Sequence, residues 1–142
     1  MPTQAQSAST ATWLWLALPV GAGVLLHAYQ AFVASSGANT AFAFGLFLWS
    51  TVPFAIAAAM DRLGVNRFRA AAFAWASLLG SVYMHFAVFV QPTGSTAALG
   101  LLFMPLWNLL LIGPAGLLAA WGLQASASGT GRNAASQETP SK

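Results

Sequence analysis

Two histidines are the residues of this chain best suited to chemistry, because the segments around them are otherwise almost entirely apolar. His85 lies in AAAFAWASLLGSVYMHFAVFV, residues 70–90. A series of small residues precedes it at three- and four-residue spacing: Ala70, Ala74, Ser77 and Ser81. That spacing places all of them on one stripe of a helix. Small residues let helices approach closely, so the stripe predicts a helix–helix contact that contains a histidine.

His27 occupies a matching position in an earlier apolar segment, Trp13–Val33. Its stripe, at the same kind of spacing, consists of Gly23, His27, Gln30 and Ala34. His27 lies about four residues and His85 about five residues beyond the midpoint of its segment, which is roughly 6–8 Å at 1.5 Å per residue. If the two segments run in the same direction, both imidazoles lie at one depth.

The first hypothesis for these polar residues is structural. Buried His, Ser and Asn side chains in membrane helices hydrogen-bond to neighbouring helices, and each such bond contributes about 0.6 kcal/mol on average and up to about 1.7 kcal/mol. Asn108 fits this role, because it lies near the middle of another apolar segment, after Pro105. On this hypothesis the polar residues fix the packing and perform no chemistry.

The second hypothesis is a polar cavity that opens outward and admits a small molecule or a proton. Ionisable residues inside a membrane often mark such pathways. The candidate lining residues are His27, Gln30, Ser77, Ser81, His85 and Asn108.

The third hypothesis is a haem or a metal ion held between His27 and His85, since imidazole is a common ligand of both. Gly23, one turn below His27, would leave room for a flat ring. Haem propionates favour basic partners, however, and the outer connectors contain none. Two histidines without a cysteine or a nearby carboxylate also argue against a closed metal site.

Catalysis is not expected. The acidic residues are Asp61 and Glu138, and both lie outside the apolar segments. A Ser-His-Asp triad is therefore excluded by depth. The chain has neither an H-E-x-x-H motif nor a Gly-rich phosphate loop.

Four apolar segments must position these residues. The chain of 142 residues is 58% hydrophobic and 5% charged, whereas about a quarter of the residues of a soluble domain are charged. Each segment is close to the ~20 residues that cross a bilayer as a helix. The predicted spans are 13–33, 41–60, 70–90 and 97–121, and none contains Asp, Glu, Lys or Arg.

The connectors agree with this division. ASSGANT (34–40) and QPTGST (91–96) are polar and rich in turn formers. Each of these two connectors ends in residues that are suited to capping the N-terminus of the next helix. These residues are Asn39, Thr40, Ser95 and Thr96. DRLGVNRFR (61–69) differs because it contains three arginines.

Those arginines determine the predicted orientation. Positive residues are retained on the cytoplasmic side, so Arg62, Arg67 and Arg69 place their connector inside. Both termini are then cytoplasmic, in agreement with Arg132 and Lys142 in the tail. A cleaved signal peptide would alter this count, but the first segment lacks a positive n-region and is longer than a typical h-region.

The terminal regions 1–12 and 122–142 are small and polar, and we predict that both are disordered. Nucleic-acid binding is not expected, since the net charge is only +3 and no basic run exists. We expect the deeper tryptophans Trp49, Trp75 and Trp107 to pack between helices.

The stretch QPTGSTAALGLLFMPLWN, residues 91–108, resembles a pattern of small multi-pass bacterial inner-membrane proteins of unassigned function. In that pattern a Ser/Thr-rich turn and an Ala-Leu run lead into an apolar helix with a proline and an aromatic residue. Gly94 and the Trp107–Asn108 pair depart from it. The resemblance implies a bacterial inner-membrane protein and no site residue. The four spans also resemble the small multidrug exporters, but the membrane glutamate of that family is missing here.

The sequence thus predicts an all-α, integral membrane four-helix bundle with antiparallel up-down topology and both termini in the cytoplasm. The expected function is a non-catalytic accessory or structural role in the cell inner membrane. The alternative is a small-molecule or proton conduit around His27 and His85. The expected partners are the lipid bilayer and either further copies of the chain or other membrane proteins.

Overall fold

The computed structural model of the chain describes residues 4–34, 39–90 and 97–137. These residues form five α-helices: α1 (Gln4–Tyr29), α2 (Thr40–Arg62), α3 (Arg67–Phe89), α4 (Ala97–Trp107) and α5 (Gly113–Gln137). A π-helical turn, Gln30–Ala34, extends α1, and a second, Asn108–Ile112, joins α4 to α5. The described residues contain no strand.

Within the described ranges, four helical stretches are long and apolar enough to cross a membrane: Trp13–Ala34, Thr40–Arg62, Arg67–Phe89 and Leu102–Ser126. Each lies close to one of the predicted spans. The prediction of an all-α fold with four helices long and apolar enough to span a membrane is therefore confirmed for the described residues, and these features fit a multi-pass membrane protein.

The first and last helices extend further than the sequence predicts. α1 begins at Gln4 and α5 ends at Gln137, whereas disorder is expected in residues 1–12 and 122–142. Alanine and glutamine are good helix formers, and adding a residue to an existing helix is easier than starting a new one. Residues 1–3 and 138–142 lie outside the described residues.

Helix α3 lies at the centre, in contact with α1, α2, α4 and α5. Its predicted small-residue stripe is the reason, because Ala70, Ala74, Ser77 and Ser81 are all fully buried. The backbones of α3 and α5 approach each other closely, because a Cβ on Gly116 would lie 2.8 Å from the carbonyl oxygen of Ala72.

Side-chain contacts give the relative directions of the helices. Trp15 contacts Trp75 near one end of α1 and α3, and His27 contacts His85 towards the other, so these helices run in the same direction. The pairs Phe32–Phe44 and His27–Phe54 show that α2 runs in the opposite direction.

The connector between α2 and α3 is a compact turn. Gly64 has φ +83°, which suits glycine because it has no Cβ. The N–H of Val65 donates to the carbonyl of Met60, and the N–H of Gly64 donates to that of Asp61. These two bonds form a Schellman motif, which satisfies carbonyls left free at the end of α2.

Asparagines cap the N-termini of α2 and α3. Asn39 Oδ1 accepts from the N–H of Ala41, which confirms one of the predicted caps. Asn66 Oδ1 likewise accepts from the N–H of Phe68 at the start of α3. Thr40, also predicted as a cap, is the first residue of α2 instead, because Asn39 takes the cap position. The two remaining predicted caps, Ser95 and Thr96, lie outside the described residues.

The arginines lie together at one end of the molecule, which we call the arginine end (Arg62, Arg67 and Arg69). Arg67 Nε donates to Asp61 Oδ1 at 2.8 Å, so an ion pair closes the α2–α3 turn. Arg69 Nε donates to Gln124 Oε1 at 2.9 Å and links α3 to α5.

Two of the three deeper tryptophans pack between helices as expected. Trp49 Nε1 donates to the carbonyl of Leu102, which joins α2 to α4. Trp75 Nε1 donates to the carbonyl of Trp15, which joins α3 to α1. Trp107 differs, because its side chain is 56% exposed on the apolar surface.

The half of the bundle towards the arginine end has an apolar core. Its fully or nearly fully buried members form what we call the apolar cluster: Leu16, Ala57, Ala70, Ala71, Phe73 and Ala74. The buried polar residues of the spans lie beyond this cluster, towards the opposite end.

Candidate functional site

The two histidines lie side by side at the contact between α1 and α3. Their ring centroids are 5.5 Å apart and the ring planes are inclined by 59°. They lie at one depth on two helices that run in the same direction, as the spacing of their stripes predicts, and the packing of α1 against α3 brings them into contact. His27 is buried, with 2% of its surface exposed, whereas His85 is only partly buried.

Ser81 is the centre of a hydrogen-bonded group that joins three elements. Asn108 Nδ2 donates to Ser81 Oγ at 3.2 Å, and Ser81 Oγ lies 3.5 Å from His27 Nε2. Since Ser81 accepts from Asn108, its single hydroxyl hydrogen is available for His27 Nε2. This arrangement favours the neutral His27 tautomer with the hydrogen on Nδ1.

His85 uses both of its ring nitrogens. Nδ1 lies 2.7 Å from the carbonyl oxygen of Ser81, so this nitrogen must be the N–H that donates. Nε2 lies 2.7 Å from the side-chain amide of Gln30 on the neighbouring helix. Because Nε2 of this tautomer can only accept, the NH2 group of that amide is the donor of this hydrogen bond. The side-chain amide of Gln30 therefore holds the imidazole against α1.

Both π-helical turns begin at a residue of this site, Gln30 in one case and Asn108 in the other. In the second turn the N–H of Gly113 donates to the carbonyl of Asn108, five residues earlier. Such turns often occur at functional sites. Sequence reasoning missed them, and the only signal was the pair of prolines, Pro105 and Pro114, that flank the second turn.

Three buried polar atoms have no hydrogen-bond partner in the described part of the chain: His27 Nδ1, Ser77 Oγ and Asn108 Oδ1. Gln30 is close enough to interact with the His27 ring but completes no hydrogen bond with Nδ1. Ser77 thus shares the buried stripe of α3 without joining the hydrogen-bonded group around Ser81.

A haem does not fit between the histidines, contrary to the third hypothesis. The space beside Gly23 is filled by the ring of Phe54, which a Cβ on that glycine would overlap. Phe54 also packs against His27, with 5.9 Å between ring centroids. Both nitrogens of His85 are already occupied by hydrogen bonds. A flat macrocycle would have to displace all of these contacts.

A metal ion held by several protein ligands also lacks support. Among the described residues, no three His, Cys, Asp or Glu side chains lie close enough together to hold one. The donors beside the two imidazoles are an amide and a hydroxyl, which are weaker ligands than a carboxylate or thiolate.

A cleft of about 490 Å³ lies between α1 and α3 on the histidine side of the bundle. Gln30 and His85 provide its polar wall, and the rest is lined by apolar and aromatic residues such as Tyr29, Phe86 and Phe89. The six predicted cavity residues therefore divide into two groups. Gln30 and His85 line the cleft, while the remaining four are buried in the packing: His27, Ser77, Ser81 and Asn108.

No protein-family model, curated protein or solved structure matches this chain. Its function is therefore argued from its own geometry.

Proposed function

We propose that the chain is a non-catalytic accessory or structural protein of the bacterial inner membrane, in which polar side chains hold four transmembrane helices together. Four helices long and apolar enough to cross a bilayer support the location. The exposed surface of these helices is rich in large apolar side chains, among them Leu25, Tyr83 and Leu110, as lipid-facing surfaces are.

The observation that supports a structural role best is the pairing of the buried polar groups with one another. Ser81 contacts both His27 and Asn108, and Gln30 contacts His85. These pairs join α1 to α3, and they join α3 to the π-helical turn between α4 and α5. Polar groups in hydrocarbon stabilise helix contacts in this way.

The proposed orientation is an antiparallel up-down bundle with both termini in the cytoplasm. It rests on Arg62, Arg67 and Arg69, since Lys and Arg near the ends of a span are retained on the cytoplasmic side. The net charge of the 61–69 connector is positive even after Arg67 pairs with Asp61.

Cysteine labelling tests this orientation cleanly, because the chain contains no cysteine. Leu63 is 83% exposed in the turn at the arginine end, and Thr40 is exposed at the opposite end of α2. We expect an impermeant maleimide to label Thr40→Cys in intact cells and to label Leu63→Cys only after the inner membrane is opened. Labelling of Leu63→Cys in intact cells would reverse the orientation.

Replacement of Ser81 by alanine tests the structural role. The change leaves His27 and Asn108 without their shared partner in a buried site, so we expect it to lower the free energy of unfolding by about 1–3 kcal/mol. Ser126→Ala is the control, because that hydroxyl donates to the carbonyl of Gly122 on the surface of one helix, and we expect a change within about 0.5 kcal/mol. Equilibrium unfolding in mixed micelles measures both, and equal stability of the two variants would contradict the role of Ser81.

A second candidate function is recognition of a small molecule in the cleft beside Gln30 and His85, the part of the conduit hypothesis that the cleft favours. A complete pathway through one chain would have to cross the apolar cluster, which offers no polar group. His85→Phe, in the same series as Ser81→Ala, separates the two functions. A variant that folds stably yet fails to complement deletion of the gene would favour recognition, whereas activity that follows stability across the series favours the structural role.

Assembly with further copies of the chain or with other membrane proteins is part of this proposal. Trp107, Leu110 and Leu111 lie together on the apolar surface and line a shallow hollow where α4 joins α5. An accessory protein needs a surface that other transmembrane helices can pack against, and apolar surfaces with small hollows serve this purpose.

A further inference from the structure

A groove at the arginine end lies between α1 and α3, on the side of the bundle where these helices begin their spans. Its volume is about 350 Å³. Among the described residues, six line it: Trp15, Arg67, Phe68, Ala71, Ala72 and Trp75. The walls that these six form are almost entirely apolar, and their one charged group is the guanidinium of Arg67 at one end.

The order of these residues along α3 matches the order of groups in a phospholipid. Arg67 is the first residue of α3 and begins a membrane-spanning stretch, so it lies at the depth of the headgroups. Ala71 and Trp75 follow four and eight residues later, which is about 6 Å and about 12 Å deeper at 1.5 Å per residue. Charge therefore comes first and apolar surface follows.

The local charge favours an anion. The connector 61–69 contains three arginines and one aspartate, which leaves a charge of +2. Arg67 also opens α3, where the positive end of the helix dipole adds to the field. A zwitterionic headgroup gains less from such a field than an anionic one.

Arg67 retains donors for a second anion. Its ion pair with Asp61 uses Nε and Nη2 at 2.8 Å and 3.4 Å. A guanidinium has five N–H donors, and within the described residues Nη1 has no bond of this kind. A phosphate could bind at Nη1 while the α2–α3 turn stays closed.

The groove itself is built to accept a chain. Ala71 and Ala72 form a small-residue floor, and Trp15 and Trp75 meet edge to face above it with 6.2 Å between centroids. The Trp75 indole is fixed by its hydrogen bond to the carbonyl of Trp15. The rigid aromatic wall and the small-residue floor leave an apolar groove in which a hydrocarbon chain can lie.

We propose that this groove is a binding site for an anionic phospholipid, with the phosphate at Arg67 and one acyl chain along Ala71 and Ala72. Lipid binding here is separate from the polar site near the histidines. It would fix one lipid at the inner face of the membrane.

The test is native mass spectrometry of the full-length protein in detergent with equal amounts of phosphatidylglycerol and phosphatidylcholine that have the same acyl chains. We expect a preference for phosphatidylglycerol, and Arg67→Gln should lower that preference about fivefold, since one arginine near a membrane contributes about that factor. Arg62→Gln is the control, because Arg62 lies on the same connector but does not line the groove.

Two further variants test the charge beside Arg67 and the apolar part of the groove separately. Asp61→Asn removes the negative charge next to the Arg67 guanidinium, so it should raise the preference for phosphatidylglycerol. Ala72→Leu should block the groove and reduce adducts of both lipids, whereas Gly122→Leu, at a position with no neighbour within 4 Å, should not. If Ala72→Leu does not fold, the Arg67 and Asp61 variants decide alone, because neither side chain is buried.

Several results would overturn the proposal. Equal losses with Arg67→Gln and Arg62→Gln would reduce the effect to general electrostatics. Equal binding of the two lipids, or an unchanged preference in Asp61→Asn, would remove the role of Arg67. Displacement of phosphatidylglycerol by inorganic phosphate would assign the site to a free anion instead of a lipid.

Discussion

Gly116→Ala is expected to destabilise the protein by about 1–3 kcal/mol, the usual cost of overpacking a close contact. The new Cβ would lie 2.7 Å from the Cβ of Ala76 and 2.8 Å from the carbonyl oxygen of Ala72. Neither atom belongs to a flexible side chain, so α3 and α5 would have to separate. Thermal unfolding in detergent, followed by circular dichroism, measures the loss.

The matched control is Gly122→Ala, six residues further along α5, where a Cβ would meet nothing within 4 Å. Alanine is a better helix former than glycine by up to about 1 kcal/mol. The two substitutions are chemically identical and should therefore change stability in opposite directions. The same sign for both would show that α3 and α5 do not touch at Gly116.

Phe54→Ala should have the largest effect of all, a loss of about 3–5 kcal/mol, because it empties a fully buried aromatic site. The ring fills the hollow beside Gly23 and packs against His27. Phe42→Ala is the control on the same helix, since Phe42 is 61% exposed. Unfolding free energies of the two variants should differ by most of the expected loss.

A second substitution should rescue part of this loss. Gly23→Leu alone should destabilise, because its side chain overlaps the Phe54 ring. In the Phe54→Ala background the same leucine fills the empty space, so the double variant should be more stable than the sum of the single changes by at least about 1 kcal/mol. Gly21→Leu, at an open position of α1, should give no such coupling. Simple additivity at Gly23 would mean that the two residues are not in contact.

The four spans could be predicted from hydropathy, because a bilayer requires long apolar helices and the chain has few charges with which to interrupt them. The buried face of α3 could be predicted as well. Ala70, Ala74 and Ser77 recur at helical spacing among much bulkier residues, and each is fully buried. The equal depth of His27 and His85 follows from the same periodicity, whereas their direct contact does not.

The pairing of individual atoms could not be predicted. Hydropathy says nothing of a hydrogen bond between residues five apart, so the π-helical turns at Gln30 and Asn108 have no signature in apolar periodicity. The filling of the Gly23 hollow by Phe54 depends on which helix lies opposite, and spacing within one segment does not specify that. The haem hypothesis failed for this reason.

The helix ends were also beyond prediction from composition. Residues 4–12 combine alanine, a helix former, with serine and threonine, and residues 122–137 combine it with serine and glycine. Serine, threonine and glycine favour other conformations, so the intrinsic preferences nearly cancel. The helical conformation is then favoured because each of these regions continues a helix that packing already stabilises, and extending a helix is easier than starting one.

The turn between α2 and α3 bears on how the protein is made. Its Schellman bonds, its Asn66 cap and its Asp61–Arg67 pair join residues at most six positions apart. Contacts this local form early, because closing a short loop costs little entropy. A nascent chain can therefore close the hairpin of α2 and α3 as soon as α3 has been synthesised, before the rest of the bundle exists.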